Sequence, residues 1–152
     1  ITDIKGGLQE KEKESGAYYC SFPSFIDGYR LIRRIIERNG QSVYLMLCTL
    51  TDGNGNPMEP GVKLSRMSEE LKKAIKRSLR KGDFYTQYSL NQFLILLIGT
   101  NEENCRLVSD RITKNFAGEH KYWKNCVEYY VSSVIDVESG SSQISFRAGE
   151  AG

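Results

Sequence analysis

Two stretches of the chain gather side chains that could do chemistry. Arg80 and Asp83 stand three apart in Arg80-Lys81-Gly82-Asp83. A guanidinium fork beside a carboxylate can grip a phosphate or read a guanine edge, the carboxylate accepting from the ring N–H groups. The pair has a plainer reading too, with Arg80 closing a helix against its dipole and Asp83 starting the turn into the next strand. Nine positions beyond Arg80 comes Ser89-Leu90-Asn91-Gln92-Phe93, and Thr49 and Thr51 end an earlier apolar run. Hydroxyl and amide oxygens bring no negative charge to a cation, and an amide cannot act as a general base. Metal-assisted phosphoryl transfer requires carboxylates that hold the cations, and these positions offer neutral groups instead.

The elements that must position these residues follow from hydrophobic periodicity. Phe25, Tyr29, Ile32 and Ile36 share one helical face, with Ser24 placed to cap the helix and Gly40 to end it. Val43 to Leu50 is an almost unbroken apolar run, expected as a strand buried on both faces. Thr51 to Gly61 is turn chemistry. Leu64, Met67, Leu71, Ile75 and Leu79 form a stripe on a helix expected from Val62 to Arg80. The strands Phe84–Tyr88 and Gln92–Ile98 make a hairpin. Thr100 to Glu103 has capping-box spacing for a helix bearing Cys105, Val108, Ile112 and Phe116 on one side, and Val127–Ile135 is the last strand. Of these four strands the first and third are apolar on both faces, so they belong at the centre of the sheet. The fold expected is α+β, a ferredoxin-like split β-α-β with an antiparallel sheet in the order 4-1-3-2 and helices packed on it.

Bulk properties exclude several classes. The chain has 152 residues, 39% hydrophobic and 26% charged, with a net charge of +2 from 21 basic and 19 acidic residues. That fits one globular domain and is too balanced to announce direct nucleic-acid binding. Cys20, Cys48, Cys105 and Cys126 are scattered, with a single His120, so a metal site is not expected, and reduced thiols in the cytoplasm are. No apolar run reaches membrane-spanning length. The basic face Lys63, Lys72, Lys73, Lys76, Arg77, Arg80, Lys81 reads as a solvated helix flank, and His120 as a surface residue. Trp123, Tyr122, Tyr129 and Tyr130 read as core and sheet packing. Asp52 and Glu59, acids in the turn-rich loop, read as solvated rather than as metal ligands, and the loop lacks the closing bidentate Glu of a calcium site. Residues 1–15 are expected to be a connector from an upstream domain, 16–137 the domain itself, and 138–152 a loose tail in which Ile144–Phe146 has a brief edge-strand pattern.

The hairpin resembles the signature of GGDEF domains, the diguanylate cyclase family, which implies a nucleotide-cyclase-like fold. Ser89-Leu90-Asn91-Gln92-Phe93 stands where that family has Gly-Gly-Asp/Glu-Glu-Phe, and Thr49 and Thr51 stand in its D-x-D pattern. Leu90 fills a position where glycine lets the backbone approach nucleotide. The 31 residues from Thr49 to Arg80 match the family's separation, but Asp52 to Pro60 does not carry its guanine and phosphate contacts. The resemblance therefore implies a degenerate domain without catalytic residues, metal or cofactor. Arg80 and Asp83 match its R-x-x-D inhibitory site for cyclic di-GMP.

Ala17–Phe25, Gly40–Leu45, Ser78–Asp83 and Glu102–Cys105 together are similar to the C-terminal region of Firmicutes regulators that carry winged-helix and bacterial transcriptional activator (BTAD) domains. That similarity implies a non-catalytic regulatory domain of a transcriptional regulator. Its partners would be the upstream DNA-binding and activator domains of the same chain, with a cyclic dinucleotide and a homodimer as further candidates and no membrane or direct nucleic-acid contact. The alternatives are a ligand-free dimerisation scaffold and, third, a residual cyclase.

Overall fold

A computed structural model describes residues 17–135 and the strand 144–147. The elements run β1 (Tyr18–Tyr19), α1 (Phe22–Asn39), β2 (Val43–Leu50), α2 (Val62–Ser78), β3 (Phe84–Ser89), β4 (Gln92–Ile98), α3 (Glu102–Ala117), a 3-10 helix (Lys121–Cys126), β5 (Val127–Ser133) and β6 (Ile144–Arg147). They form one six-stranded sheet in the order β1-β3-β4-β2-β5-β6.

The sheet is thus not the four-stranded antiparallel one expected. Its four inner strands, β3-β4-β2-β5, stand in the anticipated arrangement, and two more flank them. β1 pairs parallel with β3, which makes the sheet mixed, and β6 pairs antiparallel with β5. β1 is two residues long, too short for any alternation to show, and β6 lies in the stretch expected to be loose. The connector and the remaining tail, 138–143 and 148–152, lie outside the described residues.

Both faces of the sheet are covered, but unequally. On one face Met46, Cys48, Leu50, Phe93, Ile95, Tyr129 and Val131 pack under α2 and α3 in a single core with Leu64, Met67, Leu71, Ile75, Ile112 and Phe116. There the Thr113 hydroxyl and the Tyr129 phenol lie 2.6 Å apart, so these two buried polar groups satisfy one another. On the other face α1 covers only one end, where Phe25 and Ile36 pack on Val43, Leu96 and Val134. β2 is therefore not buried on both faces along its length: Leu47 and Thr49 stay half-buried beyond the reach of α1.

Helix ends shift by one to three residues from expectation, the two N-caps for a hydrogen-bonding reason and the end of α2 for a backbone one. α1 is capped by Ser21, not Ser24; the Ser21 hydroxyl accepts from the Ser24 N–H at 3.4 Å, with Pro23 in the first turn. α3 is capped by Asn101 rather than Thr100, its Oδ1 accepting from the Asn104 N–H at 2.8 Å. α2 stops at Ser78 because Leu79 is extended (φ −98°, ψ 158°), which frees Arg80 from the helix. β5 ends at Ser133, two residues early. At Gly53, with φ +95°, an added Cβ would come within 2.5 Å of the Tyr122 hydroxyl, so that turn needs glycine both for conformation and for space.

Candidate functional site

The hairpin turn and the end of β2 form a row of side chains across the sheet. Register pairs Ser89 with Gln92, Gln92 with Thr49, and Thr49 with Glu128. Directly opposed residues share a face of the sheet, so all four project from the side that α1 leaves open. The Asn91 carbonyl accepts from the Leu50 N–H at 2.8 Å, which ties the turn to the strand end.

The neutral groups of the row bond to one another. The Ser89 hydroxyl is shared between Asn91 Oδ1 (2.8 Å) and Gln92 Oε1 (3.2 Å), and Gln92 Nε2 donates to Thr49 Oγ1 at 3.4 Å. An amide carries donor and acceptor on one side chain, so such a chain closes without an ion. Carboxylates here would accept only, and would need cations between them. Glu128 is the one carboxylate of the row, which is too few for a pair of divalent cations, and among the described residues no three His, Cys, Asp or Glu side chains are placed to hold a metal. Leu90, 45% exposed at the tip, adds an apolar group beside the row.

Thr51 does not join this row. It is buried, with its N–H on the Cys126 carbonyl (2.8 Å) and its hydroxyl accepting from the Gly53 N–H (3.2 Å), so it starts the loop rather than facing the open side. Asp52 serves the same loop. Its Oδ1 accepts from the Asn54 and Asn56 N–H groups at 2.8 and 3.2 Å. Those bonds, Asn54's foremost, hold its carboxyl below the usual carboxylate range. The Tyr122 hydroxyl reaches across to the Asp52 carbonyl at 2.8 Å. Tyr122 is therefore exposed loop support, while Trp123 stacks between Phe116 and the exposed His120.

Arg80 and Asp83 meet at the opposite end of the hairpin. Asp83 is 2% exposed, and its two oxygens serve the backbone: Oδ2 accepts from the Arg80 N–H at 3.1 Å, and Oδ1 from the Ile98 N–H at 3.2 Å. The Arg80 guanidinium donates through Nη2 to the Ile98 carbonyl at 2.8 Å and places Nε 3.8 Å from Asp83 Oδ2. Its side chain is 62% exposed, so the outer edge of the fork faces solvent. Together they line a pocket of about 210 Å³ with Leu97, Thr100, Asn104, Leu107, Val108 and Arg111. Two arginines and an amide over an apolar floor suit an anionic, planar ligand. The volume falls below the ~300 Å³ lower bound usual for small-molecule sites, which matches one base or phosphate rather than a whole dinucleotide.

Sequence reasoning missed Arg111 and Glu128. The signal for Arg111 was present: Asn104, Leu107, Val108 and Arg111 fall on one helical stripe. Glu128 becomes visible only through register, since it meets Thr49 across 79 residues of chain.

No protein-family model matches the sequence, and no curated protein matches it either. Solved structures do. The chain is similar to the GGDEF domain of DgcB from Caulobacter crescentus, solved in complex with c-di-GMP, with a TM-score of 0.61 at 10% identity, covering 87% of this chain and 86% of that one. Against the active GGEEF domain of a diguanylate cyclase from Vibrio cholerae the TM-score is 0.57 at 17% identity, over 75% and 76% of the two chains. Against the diguanylate cyclase SiaD from Pseudomonas aeruginosa, in complex with its activator SiaC, it is 0.57 at 16% identity, over 99% of this chain and 56% of that one. The fold is that of GGDEF diguanylate cyclase domains. Among the described residues no helix is long and apolar enough to cross a membrane.

Proposed function

We propose that this domain is a non-catalytic regulatory module built on the GGDEF fold. It receives a signal, a cyclic dinucleotide held by one base or phosphate in the Arg80 pocket with the rest of the ligand outside it, and passes it to DNA-binding and activator domains upstream in a transcriptional regulator. The observation that carries the non-catalytic half is the closed neutral chain Asn91–Ser89–Gln92–Thr49, which stands where a cyclase would need cation-holding acids. The ligand half rests on Arg80 and Arg111 converging on one pocket. SiaD bound to a protein activator and DgcB bound to c-di-GMP make either kind of input reasonable for the fold.

A ligand-free scaffold is the second reading, favoured by the burial of Asp83, whose oxygens already serve two backbone N–H groups. Calorimetry with cyclic di-GMP, GTP and ATP separates the two. Cyclic di-GMP is expected to bind, and Arg80→Ala and Arg111→Ala should each weaken it by roughly 10- to 100-fold, the worth of a charge-assisted contact. Absence of heat with every nucleotide, or affinity indifferent to both substitutions, would leave the scaffold standing.

A further inference from the structure

We infer that the sheet edge formed by β1 and β3 is a docking site for an extended acidic peptide segment, which adds to the sheet as a strand. β1 covers only Phe84 and Tyr85 of the six-residue β3. Its last bond to that strand is the Cys20 N–H on the Tyr85 carbonyl at 3.0 Å, after which the chain leaves into α1 at Phe22. Backbone groups two residues apart on a strand point the same way. The N–H and C=O of Gln87 therefore face the side where Tyr85 meets β1, and no described strand pairs with them there. An unpaired edge donor and acceptor of this kind can pair with another strand.

The side chains around the gap are aromatic and exposed: Tyr18 (56%), Tyr88 (55%), Tyr19 (39%) and Phe22 (37%). Phe22 and Tyr88 meet edge to face at 5.1 Å on the α1 side. On the α2 side the Lys72 ammonium sits 3.9 Å over the Tyr19 ring and has no carboxylate partner among the described residues. An added strand would turn alternate side chains toward the Phe22–Tyr88 pair and toward Lys72, so apolar and acidic residues should alternate along it. A second copy of this chain fits less well. Edge-to-edge pairing keeps each face continuous, which would bring Lys72 and the flanks of α2 from both copies together on one face.

The test uses the 152-residue chain and a fluorescein-labelled decapeptide alternating glutamate and valine, followed by anisotropy and amide NMR shifts. The peptide should bind and move the Gln87 and Tyr88 amides. Replacing its glutamates by lysine, or the protein's Lys72 by Glu, should weaken binding by at least about tenfold. Tyr88→Ala should do the same while the melting temperature moves by only a few degrees, the worth of its contact with Phe22. Methylating every peptide nitrogen should abolish binding, because neither edge of the added strand could then donate. Equal binding of the lysine or N-methylated peptide overturns the inference. So does absence of any shift, or a dimer in sedimentation that Tyr88→Ala breaks and the peptide does not displace.

Discussion

Asp83→Ala should lower the melting temperature by roughly 8–16 °C, while Arg80→Ala should move it by only a few degrees. Asp83 is a buried staple between the end of α2 and the end of β4, holding the Arg80 and Ile98 N–H groups. Removing a charged acceptor from partly buried donors costs about 1–2 kcal/mol for each, so roughly 2–4 kcal/mol in all. At about 4 °C per kcal/mol for a domain of this size, that becomes the shift stated. Arg80 contributes one bond from a largely exposed guanidinium and a loose 3.8 Å ion pair to the buried Asp83, together about 1 kcal/mol. Asp83→Asn, which keeps one acceptor oxygen, should fall between. Equal melting shifts for Asp83→Ala and Arg80→Ala would show that the staple is not structural.

Stability should also collapse on the alkaline side. Burial raises the thiol pKa of Cys105 from 9.0 to about 12 and lifts Cys48 further. It likewise raises the Tyr85 phenol from 10.0 to about 12, with Tyr19 adding to the effect, and the Tyr129 phenol well above 10.0. The unfolded chain releases these protons near 9 and 10 while the folded chain holds them. The unfolded state is therefore favoured progressively as pH rises from about 9 through the folded values near 12. Each such group withdraws about 1.4 kcal/mol per pH unit within that window. All four shifts act in the same direction, against a total of only ~5–15 kcal/mol that holds an ordinary domain. Urea midpoints should stay flat from pH 7 to 8.5, then fall steeply, and Cys105→Ala should flatten the fall. A midpoint constant to pH 11 would mean that these groups are not held protonated by burial.

Much of this architecture could be read from residue spacing alone. The stripe Leu64, Met67, Leu71, Ile75, Leu79 is wholly buried, and the hairpin turns between Ser89 and Gln92, because both signals are local and repeat over several turns or residues. Caps were displaced where neighbours compete: Ser21 and Ser24, or Thr100 and Asn101, each offer a side-chain oxygen able to cap, and only backbone angles choose between them. β1 escaped because pairing with a preformed edge asks little of the sequence that pairs, whereas β6 falls on the brief edge-strand pattern at Ile144–Phe146. The site was half legible. Thr49, Ser89, Asn91 and Gln92 do converge, whereas Thr51 turns into the loop, and whether Asp83 faced a ligand or its own backbone depended on where Ile98 came to lie.

The decisive measurement is incubation of the chain with GTP and Mn²⁺ or Mg²⁺, with products separated by chromatography and manganese binding followed by electron paramagnetic resonance. The neutral hydrogen-bonded chain Asn91–Ser89–Gln92–Thr49 predicts no cyclic di-GMP and no bound manganese signal in the wild-type chain. Product accumulating with time, together with protein-bound manganese lost on Gln92→Ala or Thr49→Val, would contradict it.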